Sequence, residues 1–137
     1  MQIKDVMTPN AQWIDPKTSI AEAAVKMRDQ NLGVLPVGDG TRLIGMITDR
    51  DMAVRAVADR RDPATTKVSD IMTAEIRYCF DDQSAEEVAQ NMGEQRIRRL
   101  PVVDRDKRLV GIISLGDLAQ RGAPRAAGDS LAQIARQ

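Results

Sequence analysis

Residues 45–51 read Gly-Met-Ile-Thr-Asp-Arg-Asp, and residues 111–117 read Gly-Ile-Ile-Ser-Leu-Gly-Asp. Each stretch sets a glycine, two apolar residues, a hydroxyl (Thr48, Ser114) and then an acid three places on (Asp51, Asp117). That last interval is the capping-box spacing, so each stretch reads as a strand handing over to a helix. Capping by itself explains the hydroxyl and the acid, and the same spacing recurs at Ser19-x-x-Glu22 and Ser84-x-x-Glu87. Three further features point beyond capping. Gly45 and Gly111 occupy strand positions where a missing side chain admits a ligand or another backbone. Each helix start offers free amides and the positive end of its dipole to an anion. Each Asp is short enough to accept from two vicinal sugar hydroxyls. Together they suit the phosphate and ribose of a nucleotide.

Working outward, the two stretches belong to a longer duplication. Asp5-Val6-Met7-Thr8 returns as Asp70-Ile71-Met72-Thr73, a shift of 65 residues (70 − 5). Met27 matches Met92, and Leu35-Pro36-Val37 matches Leu100-Pro101-Val102. One inserted residue then brings Gly45 and Asp51 into register with Gly111 and Asp117 at a shift of 66 (111 − 45). The copies span residues 1–60 and 68–122, with residues 61–67 as linker inside the charged, Pro63-broken stretch Asp59 to Lys67, and residues 123–137 as a tail. Two repeats are too few to bury each other as an open array, so the pair is expected to close on itself or dimerise.

Within each copy the hydrophobic period alternates. Trp13-Ile14 and Arg77-Tyr78-Cys79-Phe80 read as short strands. Ile20, Ala23, Ala24 and Met27, and again Ala85, Val88, Ala89 and Met92, fall at helical intervals behind their capping boxes. Gly33 to Val37 and Arg99 to Val103 read as strands, followed after turns by Leu43 to Ile47 and Leu109 to Ile113. A second helix runs from Asp49 to about Ala58 and from Leu115 to about Arg121. In the tail, Leu131, Ile134 and Ala135 predict a short amphipathic helix over Asp129 to Gln137.

Composition narrows the function. The 137 residues suit one compact domain, with 20 basic and 20 acidic residues and no long single-sign block to recruit nucleic acid or an anionic membrane. Aromatic residues are 2% of the chain, too few for base-stacking platforms. The absence of histidine removes the commonest general base and metal ligand, and the single Cys79 cannot form a disulfide or a thiolate zinc site. No catalytic residue and no metal site are expected. Cys79, flanked by Tyr78 and Phe80, reads as an inert core thiol, and Trp13 and Tyr78 sit at strand positions where an aromatic either packs or faces a base, packing being the commoner role. With no secretion-type leader and no apolar span, a soluble cytoplasmic protein is expected.

The paired Met-Thr, Leu-Pro-Val and Gly-x-x-Thr/Ser-x-x-Asp elements resemble tandem cystathionine beta-synthase (CBS) domains joined as a Bateman module, over about Gln2 to Gly122. The resemblance implies an α+β fold of two pseudo-twofold-related βαββα repeats packed through their sheets, usually pairing into a homodimer. It implies clefts that bind AMP, ATP, NAD or S-adenosylmethionine as regulatory ligands, and an unidentified regulated partner protein. Carried over by position, Asp51 and Asp117 would hold ribose, with Thr48 and Ser114 beside ribose or phosphate. Arg98 and Arg99 would reach phosphate, aided by Arg50. Val6, Met7, Thr8 and Pro9, with Leu35 and Val37, would line the adenine pocket. The copies differ here: Gly33 and Val34 stand where the second copy has Arg98 and Arg99, and Gly116 stands where the first has Arg50. Unequal sites are expected, the Thr48/Asp51 site being the tighter. The rival reading is a structural CBS dimer that has lost its ligand.

Overall fold

A computed structural model describes residues 1–40, 42–74 and 76–135, so the last two residues of the expected tail helix lie outside it. The fold mixes helices and strands in the order α1 (Ile3–Val6), β1 (Thr8–Pro9), α2 (Ile20–Gln30), β2 (Val34–Gly38), β3 (Leu43–Thr48), α3 (Asp49–Asp51), α4 (Val68–Ile71), β4 (Cys79–Phe80), α5 (Ala85–Gln95), β5 (Arg99–Val103), β6 (Leu109–Ser114), α6 (Leu115–Asp117) and α7 (Pro124–Ala135). Helix α3 runs on as a π-helical stretch over Met52–Val57, and α6 does so over Leu118–Gly122. The sequence had predicted ordinary helices there. The backbone ladder instead widens directly after the capping acid, as in the Ala58 amide donating to the Ala53 carbonyl at 3.0 Å.

The chain forms two compact units, and neither coincides with one sequence copy. Residues 1–11 fold with 77–137, and residues 12–76 form the other unit. Each unit takes the leading Met-Thr segment of one copy and the body of the other. In the unit of 77–137, the Ile3 amide donates to the Gln83 carbonyl at 2.9 Å and the Ala85 amide to the Met1 carbonyl at 2.8 Å. In the unit of 12–76, the Val68 amide donates to the Thr18 carbonyl at 2.8 Å and the Ile20 amide to the Thr66 carbonyl at 2.9 Å.

The bodies are built alike. Ser19 and Ser84 cap α2 and α5 by accepting from the Glu22 and Glu87 amides at 3.2 and 3.1 Å. Both helices end on a left-handed residue, Asn31 or Arg96. Antiparallel β2–β3 and β5–β6 share one register, Val37 facing Gly45 and Val102 facing Gly111, with an irregularity just after in each. The unit of 77–137 carries a four-stranded sheet ordered β1-β6-β5-β4. In the other unit the counterparts of β1 and β4 shrink to single bridges, Met46 with Thr73 and Ile14 with Val37. The strand expected over 13–14 is therefore one bridging residue, and that expected over 77–80 is its last two.

Two aliphatic cores result. One gathers Ile3, Val6, Val88, Met92, Val102, Ile113 and Leu118, and the other Ile20, Met27, Leu35, Val37, Ile47 and Ile71. Trp13 lies flat on Gly38, where any Cβ would sit 2.5 Å from the ring. The second copy has the buried Val103 at that position, and its Tyr78, 37% exposed, meets Phe80 edge-on at 5.6 Å. Cys79 is buried, and burial first, with the Asp81 charge second, pushes its thiol up to about 12. It is an inert core thiol, as the sequence suggested.

The tail departs furthest from expectation. Helix α7 starts at Pro124, five residues before the predicted start, because Pro suits a first helical turn. It packs through Ala127, Ser130 and Ile134, while Leu131, expected on the apolar face, is 48% exposed. Its partner is α5, where the Ser130 hydroxyl donates to the Ala89 carbonyl. Gly93 makes this approach feasible, since a Cβ there would meet the Ser130 Oγ at 2.7 Å. The first copy places Arg28 at that position, no helix among the described residues packs on α2 as α7 packs on α5, and Ala24, expected to be buried like Ala89, is exposed. Among the described residues, no helix is long and apolar enough to cross a membrane.

Candidate functional site

The two quoted stretches sit at equivalent places, one per unit. Thr48 accepts from the Asp51 amide at 3.0 Å, and the Asp51 Oδ2 accepts from the Thr48 amide at 3.0 Å. Ser114 and Asp117 repeat both bonds, each at 3.0 Å. The capping boxes anticipated from spacing are therefore formed, and they fix one oxygen of each carboxylate. Asp51 is 8% exposed, the one buried charged residue among the described residues. Its other oxygen lies 3.9 Å from the Arg55 Nε, and the Thr73 hydroxyl reaches both oxygens at 3.4 Å. Asp117 is half-buried, and its Oδ1 accepts from Arg121 at 3.0 Å.

The glycines at the start of each motif admit another backbone. A Cβ on Gly45 would lie 2.8 Å from the Thr73 carbonyl oxygen and 2.9 Å from the Met72 sulfur. On Gly111 it would lie 2.7 Å from the Thr8 carbonyl oxygen and 2.6 Å from the Met7 sulfur. The Met-Thr segment of one copy is thus laid across the Gly-x-x-Thr/Ser-x-x-Asp strand of the other. Arg55 fastens this arrangement by donating to the Ile71 and Met72 carbonyls at 3.3 and 3.2 Å. Sequence reading missed Thr73, Arg55 and Arg121 as neighbours of the acids. The last two were legible as a repeated i,i+4 acid–arginine pair, but Thr73 arrives by a tertiary contact.

The remaining expected residues divide between the units. Met7, Thr8 and Pro9 lie against β6, with Thr8 paired to Ile112 and Pro9 to Gly111. Val6 is buried in the same unit's core, whereas Leu35 and Val37 are buried in the core of the other. The six residues expected around one adenine pocket thus fall in two units, and three of them spend their side chains on core packing. Arg98, Arg99 and Ser114 come together at the rim of a groove of about 390 Å³. Arg99 faces Ser114 in the β5–β6 register, and the Arg98 carbonyl accepts from the Leu115 amide at 3.0 Å. Arg50 is exposed in the other unit, its amide donating to the Asp49 Oδ1 at 2.8 Å. No cluster of three or more His, Cys, Asp or Glu among the described residues is arranged to hold a metal ion.

The CBS domain pattern matches residues 3–57 and again 68–123. The chain belongs to the CBS domain family. Its two CBS copies are 41% identical over 136 residues to the CBS domain-containing protein YhcV of Bacillus subtilis, covering 98% of this chain and 96% of that one. Among solved structures, CBSX2 in complex with AMP is similar at 29% identity with a TM-score of 0.75, over 87% of this chain and 93% of that one. The CBS domain pair of MJ0100 with 5′-methylthioadenosine and S-adenosyl-L-methionine is similar at 30% identity with a TM-score of 0.77, over 88% and 94%. Two CBS pairs similar to this chain are thus solved with adenosine compounds bound.

Proposed function

We propose that this CBS pair is a regulatory, non-catalytic module that senses an adenosine-containing ligand (AMP, ATP, NAD or S-adenosylmethionine) held by ribose at Asp51 and Asp117. The observation that carries the reading is the same fixed carboxylate, built twice, beside a Met-Thr segment delivered by the other copy. With Oδ2 tied to the capping amide, the carboxylate is held in one orientation; the Asp51 Oδ1 has an arginine at 3.9 Å and the Thr73 hydroxyl at 3.4 Å, and the Asp117 Oδ1 has an exposed arginine at 3.0 Å, to exchange for ribose hydroxyls. A ligand at Asp51 touches the first copy through Thr48 and the second through Thr73. Its binding free energy therefore strengthens the meeting of the two copies inside one unit. At about 100 times its dissociation constant it adds about 2.7 kcal/mol to the folded state. Output passes to a second copy or a regulated partner; Val54 and Val57, 50% and 74% exposed just beyond Asp51, offer an apolar surface for such an association.

The capping boxes also favour a second reading, a structural CBS module in which both acids merely finish their turns. Calorimetric titration of the four ligands separates the two. Alanine at Asp51 or Asp117 would also remove a cap worth about 1 kcal/mol, so the informative variants are Asp51→Asn and Asp117→Asn. These keep an acceptor for the Thr48 or Ser114 amide and lose the charge that grips the diol. Binding to wild type, weakened about tenfold or more in either variant at unchanged melting temperature, supports the proposal. Identical titrations of wild type and both variants would remove the ribose assignment.

A further inference from the structure

Each site acid is followed four residues on by an arginine, and the two arginines are put to different use. Arg55 sends its guanidinium to the carbonyls of Ile71 and Met72, at 3.3 and 3.2 Å, and its Nε stays 3.9 Å from the Asp51 Oδ1, beyond hydrogen-bond reach. Besides the capping amide, the Asp51 oxygens accept only the neutral Thr73 hydroxyl, in a long bond of 3.4 Å. Arg121 goes the other way. Among the described residues its guanidinium bonds Asp117 alone, Nη2 reaching Oδ1 at 3.0 Å. Thr8, the counterpart of Thr73, is exposed and sends no hydroxyl bond to Asp117. The sheets account for the split. Thr8 and Pro9 pair with β6 as a two-residue strand, so the Met-Thr segment of that unit is held without an arginine. Its counterpart makes one bridge, Thr73 with Met46, and Arg55 supplies the rest of the fastening.

We propose that Arg121 is a built-in competitor for the ribose diol at Asp117, and that Arg55 is a positioning residue that leaves Asp51 open, so that the Asp51 site fills first and Arg121 sets the threshold of the second. The inference rests on the adenosine reading and names what regulates its two sites. A diol arriving at Asp117 must displace a charge-assisted bond from a guanidinium, the stronger class of hydrogen bond, and offers neutral hydroxyls in return. At Asp51 it displaces one long bond from a hydroxyl and replaces it with two of the same chemical kind. Salt screens the exposed Arg121–Asp117 pair more than it screens a bond from a neutral hydroxyl. An uncharged ligand should therefore bind the Asp117 site more tightly as salt rises, the reverse of what an anionic ligand at a basic site does.

The probe is adenosine, which is uncharged, titrated into the full chain, with Asp51→Asn isolating the Asp117 site and Asp117→Asn isolating the Asp51 site. The Asp51 site should be the tighter of the two. In the Asp51→Asn background, Arg121→Gln should strengthen adenosine binding by up to about fivefold, the worth of an exposed ion pair. Arg121→Lys keeps the charge and should change little. Deoxyadenosine, short of one hydroxyl of the diol, should gain nothing from Arg121→Gln, and high salt should reproduce the gain only while Arg121 is present. In the Asp117→Asn background, Arg55→Gln should weaken adenosine about tenfold. Without any ligand it should also speed hydrogen exchange at the Thr73 amide, which donates to the Met46 carbonyl. Adenosine binding that ignores both Arg121→Gln and salt, or a gain shared by deoxyadenosine, overturns the competitor role and leaves the adenosine reading in place. Faster exchange at Thr73 with adenosine affinity intact overturns the positioning role of Arg55. Adenosine binding absent from the wild type and from every variant removes the adenosine reading and this inference with it.

Discussion

Helices α2 and α5 descend from the same stretch of the repeat, have the same length and the same serine cap, yet one is bare and the other covered. The difference comes down to Gly93 in α5 against Arg28 in α2. Glycine inside a helix costs roughly 0.5–1 kcal/mol, but here it lets α7 come within hydrogen-bonding distance of the α5 backbone. An arginine at that place in α2 occupies the space a covering helix would need. A repeat copied almost unchanged thus gives two units with different surfaces.

This comparison breaks most sharply at the alanines that precede those two positions. Ala89 is fully buried and its carbonyl accepts from Ser130, whereas Ala24 is exposed. Ala89→Glu should destabilise the protein by about 3 kcal/mol or more, since it buries a charge without a partner. Ala24→Glu should stay within about 0.5 kcal/mol of wild type. Denaturant unfolding of both variants checks this, and equal losses would mean that α7 does not cover α5 in solution.

A smaller difference lies at the helix ends. Asn31 and Arg96 both adopt left-handed backbone, at φ of 53° and 58°. Asparagine tolerates that region and arginine is strained there. Arg96→Gly should therefore stabilise by about 0.5–1 kcal/mol, and Asn31→Gly should change little. A lower melting temperature for the Arg96 variant would contradict the strain argument.

The smallest effect concerns acid. Arg105 grips Asp82 through two bonds of 2.7 and 2.8 Å while lying 4.1 Å over the Phe80 ring, and the first copy has Lys17 where Asp82 stands. The Arg105 hydrogen bond holds the Asp82 carboxyl below its ordinary value of 3.8. A group depressed on folding contributes stability above its unfolded value and loses it as pH falls through the folded one. Arg105→Ala should thus return Asp82 to the ordinary carboxylate range in an NMR titration and leave neutral-pH stability nearly unchanged, because the pair is exposed. A titration midpoint unmoved by the variant would rule this pair out as the cause.

The sequence alone determined the duplication, the α+β alternation, the two strand hairpins, the serine and threonine caps and the family, because each is a local pattern of period, spacing or hydrogen-bonding residue type. It also marked Gly45 and Gly111 as places of close approach. What approaches them was decided only in three dimensions, when the Met-Thr segment of each copy crossed to the body of the other. Such an exchange leaves the local pattern unchanged, since Val6 and Ile71 bury equally well in either copy. The covering of α5 by α7 was likewise beyond local reading. Gly93 and Ser130 lie 37 residues apart (130 − 93), and neither residue type announces a partner until the packing brings them into contact.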